Sequence, residues 1–283
     1  MGRRPRIEYY GAIYHIIQRG NDRLPVFKQD KDKVVLLEIL SEAKEIYDFK
    51  IYAYAIMNNH YHFLIQTFNI PISTIMHNIN TRYAKYYNRK MDRTGPVFED
   101  RYKGILVQDE SYFLTLIRYI HNNPVTANIC NSMEEYKWSS DVFYRMNIGN
   151  MVDIDEFLEF LSSDRKKAIE KYMELMDEEI NDYETLKDIY ERSTIIGTEE
   201  FIRSIEGYKD GKNNEKMDLD EILKVACPTE YEFNLIKNGS RKRYLTKYKI
   251  KYIELGKKEG YTYYQIGENI GVSRTSVRKI LKK

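Results

Sequence analysis

The chain has 283 residues, 42% of them hydrophobic and 31% charged, with 45 Lys/Arg against 43 Asp/Glu for a formal net charge of +2. That length allows two domains at about 150 residues each, and the composition excludes collagen-like, coiled-coil and wholly disordered chains. No run reaches the ~20 apolar residues of a membrane span, no apolar stretch follows the basic opening as a secretory signal requires, and two distant cysteines, Cys130 and Cys227, make neither a disulfide scaffold nor a zinc site, so a reducing cytoplasm is the expected location.

Residues 11–19 are dense in β-branched and aromatic side chains and end at Gly20-Asn21-Asp22, which predicts a strand and a turn. Residues 30–48 carry Val35, Leu36, Ile39, Leu40, Ala43 and Ile46 at helical spacing. Residues 50–57 and 60–67 read as strands joined through Asn58-Asn59 into a hairpin. A helix over 72–90 follows, then a Gly95-Pro96 break, a strand over 102–108 and a helix over 109–122 with Asp109 as N-cap. Pro124 disfavours helical geometry at Asn123 and is expected to end that helix. The order is β-α-β-β-α-β-α. Its first six elements predict an α+β domain of the ferredoxin-like (RRM-like) kind, an antiparallel sheet with helices on one face.

The small net charge hides a strong segregation. Residues 1–150 carry a net +4, residues 151–236 a net −13 and residues 238–283 a net +10. The acidic stretch reads as helices over 154–162, 164–178, 181–192, 198–206 and 219–226, with no ligand spacing, and is expected to be a spacer or a shield for a basic groove. The basic tail reads as a helix over 241–258, a short helix over 263–269, Gly271, and a last helix from Ser273 to Lys282. That is helix-turn-helix spacing. It leaves Arg274, Thr275, Ser276, Arg278 and Lys279 to face DNA, with a bland three-helix bundle as the competing reading. The expected domains are 1–145, an acidic helical linker over 146–237, and a basic DNA-binding unit over 238–283, so that an all-α region follows the α+β domain.

His60-Tyr61-His62 opens the third strand. Side chains two apart share a strand face, so His60 and His62 point the same way and suit a divalent cation. In Leu116–Val125, Tyr119 and Asn123 are four apart on one helix face and pair a phenol with an amide oxygen. With 26 tyrosines in the chain, spacing alone does not choose among Tyr119, Tyr83, Tyr86, Tyr87 and Tyr112.

The opening Arg3-Arg4-Pro5-Arg6-Ile7-Glu8-Tyr9-Tyr10-Gly11-Ala12-Ile13-Tyr14-His15 resembles the N-terminus of the IS200-like transposases, the group that includes the REP-associated tyrosine transposases. So do Arg19-Gly20-Asn21, Met57–Leu64, Gly95–Lys103, Arg118–Val125 and Tyr136-Lys137-Trp138-Ser139-Ser140, in order over residues 1–145. These relatives are HUH single-strand DNA nucleases, and Tyr61 is an aromatic variant at the U position.

The resemblance implies His60 and His62 as metal ligands, Tyr119 as nucleophile and Asn123 as third ligand, with Asn122 and His121 as alternatives. It implies Mg²⁺ or Mn²⁺ as cofactor, single-stranded or hairpin DNA as substrate, a 5′-phosphotyrosine intermediate, no membrane, and a monomer or a homodimer. Arg82, Lys85, Arg89, Lys90 and Arg101 are expected to track the DNA backbone, and Tyr83, Tyr86 and Tyr87 to stack on bases or pack in the core. Two rival readings are a non-catalytic DNA-binding regulator derived from a transposase and a histidine-based metallohydrolase with no covalent step.

Overall fold

The computed structural model describes residues 6–178, 183–210, 217–259 and 261–281. Arg3, Arg4 and Pro5 of the opening motif, the start of the helix expected over 181–192, and Lys282 lie outside them. The chain divides into two compact units, residues 13–196 and residues 1–12 with 197–283. The acidic stretch 151–236 is shared between them. No helix among the described residues is long and apolar enough to cross a membrane.

The first unit is an α+β body. Strands β1 (Ile13–Arg19), β2 (Lys50–Ile56), β3 (His60–Gln66) and β4 (Lys103–Val107) alternate with helices α1 (Asp30–Tyr47), α2 (Ile72–Lys90) and α3 (Phe113–Thr126). The sheet order is β2-β3-β1-β4, all antiparallel, followed by a short fifth strand, β5 (Ile195–Ile196), beyond β4. Alternation along β3 decides which helix lies on which face. Tyr61 donates to Asn80 Oδ1 of α2 at 2.6 Å, whereas His62 meets Tyr119 of α3, with ring centroids 6.0 Å apart. Helices α1 and α2 pack together on the Tyr61 face, as expected, and α3 lies on the other. Leu36, Leu40, Ile75, Met76, Ile79, Tyr61 and Phe63 are fully buried on the α1–α2 side. Each such side chain is worth roughly 1.5–3 kcal/mol of burial.

Beyond α3 come α4 (Asp141–Arg145), α5 (Asp155–Leu161), α6 (Arg165–Asp177), α7 (Tyr183–Lys187), a π-helical turn over Asp188–Arg192, and β5 (Ile195–Ile196). The region after residue 145 is therefore not wholly helical. Strand β5 pairs in parallel with Leu106 and Val107 at the open edge of β4. The opposite edge, β2, is met by the Tyr136–Ser140 segment, where Ile56 N–H donates to Trp138 O at 3.0 Å and Ser140 N–H to Tyr54 O at 2.9 Å. The outer sides of β4 and β2 are thus both covered.

Two sequence expectations fail locally. Pro124 lies inside α3, which runs to Thr126. Only two helical residues follow it, so a single backbone bond is lost in the last turn, and Asn128 at φ 54° closes the helix instead. Asp109 does not cap an α-helix directly. Its Oδ1 accepts from Ser111 N–H at 2.9 Å at the head of a 3₁₀ turn over Glu110–Tyr112, and α3 starts after it.

In the second unit, α8 (Glu199–Asp210), α9 (Leu219–Ala226), α10 (Glu230–Lys237), α11 (Thr246–Lys258), α12 (Tyr263–Asn269) and α13 (Arg274–Ile280) follow one another. Helix α10 falls where no element was expected. Ile222 and Leu223 of α9 share one core with Tyr252 and Ile253 of α11, Ile266 of α12 and Val277 of α13.

Candidate active site

The turn that presents His60 is held from both sides. Met57 N–H donates to His60 O at 2.8 Å and closes it, while Gly20 N–H takes Asn59 O at 2.7 Å and Phe27 N–H takes Asn58 O at 2.9 Å. Gly20 is required here, because a Cβ would lie 2.4 Å from Leu24 O. His60 and His62 then share one face, with ring centroids 5.1 Å apart.

The Nδ1 atom of each ring is already engaged. His60 Nδ1 lies 2.6 Å from Asn59 Oδ1. An amide oxygen only accepts, so Nδ1 carries the proton and the Nε2 lone pair of the neutral ring is free. His62 Nδ1 lies 2.9 Å from His15 Nε2 of the neighbouring strand, and His62 Nε2 is buried with no hydrogen-bond partner. Burial keeps these rings neutral. It lowers His60 to about 4, helped by the charges of Arg19 and Lys187, and His15 to about 3 against a small pull from the Tyr190 backbone. His62 falls well below its ordinary value for the same reason, with His60, His15 and Arg19 adding to it. Two neutral imidazoles with free Nε2 atoms are the donor set a divalent cation takes. His15 and Asn59, which the sequence did not single out, orient them. Their signal was faint: His15 shares β1's alternation with Ile17, the residue paired with His62.

Helix α3 buries Phe113, Leu116, Ile117 and Ile120 and brings Tyr119 onto the histidine face. The Tyr119 ring is edge-on to His62 and to His15, at 6.0 and 6.1 Å. Tyr119 is fully buried. Its OH donates to Glu191 Oε1 at 2.8 Å, and its ring packs on Tyr183 and Tyr190, with centroids 5.4 and 5.1 Å away. Burial, then Tyr183 and Glu191, push the phenol far above its ordinary pKa. The acidic stretch, expected to be a spacer or shield without chemistry, therefore supplies three direct neighbours of Tyr119. Nothing local in the sequence marks them, since Glu191 is 72 positions away from Tyr119.

Asn123 is near its expected place, but its amide is occupied. Nδ2 donates to Tyr119 O at 2.9 Å, and Oδ1 accepts from Tyr183 OH at 3.2 Å. Among the described residues no three His, Cys, Asp or Glu side chains gather as a metal centre. His121 points elsewhere: it is fully buried, 2.7 Å from Ser140 Oγ and 2.9 Å from Tyr172 OH. Of the rival tyrosines, Tyr83 is sealed against Phe27 and Phe98, with its OH on Val26 O. Tyr87 is buried beside it, and Tyr86 donates to Asp32.

The expected DNA contacts fall in three places. Arg82, Lys85, Arg89 and Lys90 lie on α2, across the sheet from Tyr119. Arg82 pairs with Glu42 and Lys90 with Asp32, whereas Lys85 and Arg89 are exposed. Arg101 lines a cleft of ≈ 230 Å³ with the cations Arg19 and Lys103 and the carboxylates Glu99, Asp100 and Glu191, the last of which meets Tyr119. In the second unit, Ser273 Oγ accepts from Ser276 N–H at 3.2 Å and caps α13. Arg274, Thr275, Arg278 and Lys279 are exposed, and Ser276 is half-buried.

Residues 8–123 match the family described as "Transposase IS200 like". Among solved structures, the chain is similar to a REP-associated tyrosine transposase bound to a REP hairpin, at 16% identity over 58% of this chain and 93% of that one, with a TM-score of 0.44. It is also similar to a putative transposase from Deinococcus radiodurans R1, at 18% identity over 43% of this chain and 95% of that one, with a TM-score of 0.30. No curated protein matches the chain.

Proposed function

Over residues 8–123 the chain belongs to the IS200-like transposase family, and from that premise we propose that it cleaves and rejoins single-stranded DNA, hairpins included, with Tyr119 as covalent nucleophile. The observation that carries this reading is the convergence of Tyr119 with His62, at 6.0 Å, and with His60 beside it, on one sheet face of one chain.

The Tyr119 oxygen attacks a backbone phosphorus, the bond to the 3′ oxygen breaks, and a 3′-hydroxyl leaves with a proton. The 5′-phosphate stays esterified to Tyr119. Attack by a 3′-hydroxyl reverses the step and rejoins strands with no other energy source. His60 and His62 would hold a divalent cation, Mg²⁺ or Mn²⁺, which when bound supplies phosphate polarisation and favours the phenolate. Asn123 is the candidate third ligand once its oxygen is released from Tyr183. Arg19, Arg101 and Lys103 are suited to receive the strand's phosphates in the cleft beside them.

The βαββαβ order, with β2-β3-β1-β4 neighbours and α1 and α2 on one face, supports a ferredoxin-like reading. The capped α13, with Gly271 at φ 65° in the preceding turn, supports a helix-turn-helix that holds Arg274, Thr275, Arg278 and Lys279 toward duplex DNA. A non-catalytic regulator would have no use for two histidines orientated with free Nε2 atoms beside a tyrosine. The test is a denaturing gel of single-stranded hairpin DNA labelled on the 3′ side of the cut. Wild type should give a protein–DNA adduct and Tyr119→Phe none. Cleavage without any adduct favours the metallohydrolase.

A further inference from the structure

A phenol with no exposed surface cannot approach a phosphate to the ~3 Å that in-line attack requires. Among the described residues, three groups that pack on Tyr119 from outside its own helix and sheet come from one short segment beyond the family-matched residues. Tyr183 stacks on the ring with planes 19° apart and donates to Asn123. Tyr190 also packs on the ring, tilted by 53°, and donates to Thr115 Oγ1 of α3 at 2.6 Å. Glu191 accepts the phenol proton at 2.8 Å, and its backbone carbonyl accepts from Lys103. The segment is anchored to the sheet by Thr194 and by Ile196 of β5, through Leu106 N–H to Thr194 O at 3.1 Å and Gln108 N–H to Ile196 O at 2.8 Å. Glu191 itself lies in the π-helical turn Asp188–Arg192. Such turns are rare and concentrate at functional places.

We propose that residues Tyr183–Ile196 form an autoinhibitory gate over the nucleophile, with Glu191 as its latch, displaced when the phosphates of a single strand enter the neighbouring cleft. The choice of displacing partner follows from the cations around the latch. Glu191 lines the same cleft as Arg19, Arg101 and Lys103, with Glu99 and Asp100 also on its wall, and Lys103 is the side chain that grips the Glu191 carbonyl. A strand phosphate competes for those three cations and puts a negative charge beside the Glu191 carboxylate. Both effects loosen the latch. Release of Tyr183 frees the Asn123 oxygen in the same movement, so opening uncovers the nucleophile and the candidate third ligand together.

This inference rests on the reading of Tyr119 as nucleophile, and its test separates the two. Glu191→Ala and Tyr183→Ala are compared with wild type in two assays. The first, without DNA or metal, is nitration of the tyrosines by tetranitromethane, read by mass spectrometry on the tryptic peptide 119–137. The gate predicts a Tyr119 protected in wild type and modified several-fold faster in both variants. The second is the rate of adduct formation on a short single-stranded hairpin, where both variants should be faster by roughly tenfold, the scale of one charge-assisted hydrogen bond. Unfolding temperature is followed in parallel, and Tyr183→Phe, which keeps the stacking ring, checks for a general loosening: it should remain closer to wild type than Tyr183→Ala. Equal nitration of Tyr119 in all proteins overturns the gate. Slower adduct formation in Glu191→Ala also overturns it and makes Glu191 the base that takes the phenol proton. Faster nitration with no adduct from any protein keeps the gate and removes the nuclease reading.

Discussion

Replacing His121 by Asn should flatten the pH dependence of stability of the unit 13–196 between pH 6.5 and 4. His121 sits on α3 two residues after Tyr119 and ties that helix to Ser140 Oγ at 2.7 Å and Tyr172 OH at 2.9 Å. It is fully buried, with Asp141 and Arg145 as its nearest charges and Tyr144 and Tyr172 as its ring neighbours. Burial lowers it from 6.5 to about 4; Asp141 opposes this and Arg145 adds to it. A folded-state value below the unfolded one means that stability is complete above pH 6.5 and is lost as pH falls toward 4. The difference is worth roughly 3 kcal/mol. At neutral pH the variant costs less, about 1–2 kcal/mol for the lost ring volume, because Ser140 keeps Tyr54 and Tyr172 keeps Asp141 as partners. Urea unfolding at pH 7.5, 6, 5 and 4.5 measures both effects. His15, His60 and His62 add their own acid sensitivity to both proteins, so the wild-type-minus-variant difference isolates His121. Parallel pH profiles would refute the assignment of a neutral, buried His121.

Three further outcomes follow from the same geometry. His60→Ala should abolish metal-dependent cleavage and weaken Mn²⁺ binding while the thermal transition survives; cleavage at the wild-type rate would sink the ligand assignment. Gly267→Ala should destabilise the second unit by about 1–3 kcal/mol, because a Cβ there would lie 2.5 Å from Val272 O and 3.0 Å from Val277 Cγ2, in the corner between α12 and α13; unchanged denaturant unfolding would mean the corner is looser than described. Arg274→Ala with Lys279→Ala should lower duplex-DNA affinity and reduce the salt slope by about two, one for each phosphate no longer neutralised, and no change in either would leave α13 outside the DNA interface. These substitutions are a cleaner test than removing residues 238–283, because α9 packs in the same core as α11–α13 and would be stripped by that cut.

Much of the first unit was legible because its periods are clean. The alternation of β3 gives both the hairpin and the shared face of His60 and His62, and the 3.6-residue spacing of α1 and α2 gives their length to within a residue. Tyr119 stood out from 26 tyrosines only through the Arg118–Val125 motif, since a helical Tyr at that spacing has no mark of its own. What escaped was long-range. His15 becomes a partner of His62 only through strand register, and Glu191 and Tyr183 reach Tyr119 only through the fold of an acidic stretch whose local pattern says solvated helix. Strand β5 is two residues long and exists because β4 offers an open edge, which no sequence window encodes. Pro124 fails as a helix stop for the opposite reason: it sits in the final turn of α3, which has little left to lose.

The proposed reaction requires that Tyr119 carry the DNA. The most direct measurement is mass spectrometry of wild-type protein trapped on single-stranded hairpin DNA, digested with nuclease and trypsin, and read for the residue that bears the nucleotide. A 5′-phosphorylated nucleotide is expected on Tyr119, in peptide 119–137, with fragment ions that exclude Tyr136 of the same peptide. A nucleotide on Tyr83, Tyr86, Tyr87 or Tyr112, or cleaved DNA with no modified tyrosine at any time, would contradict it.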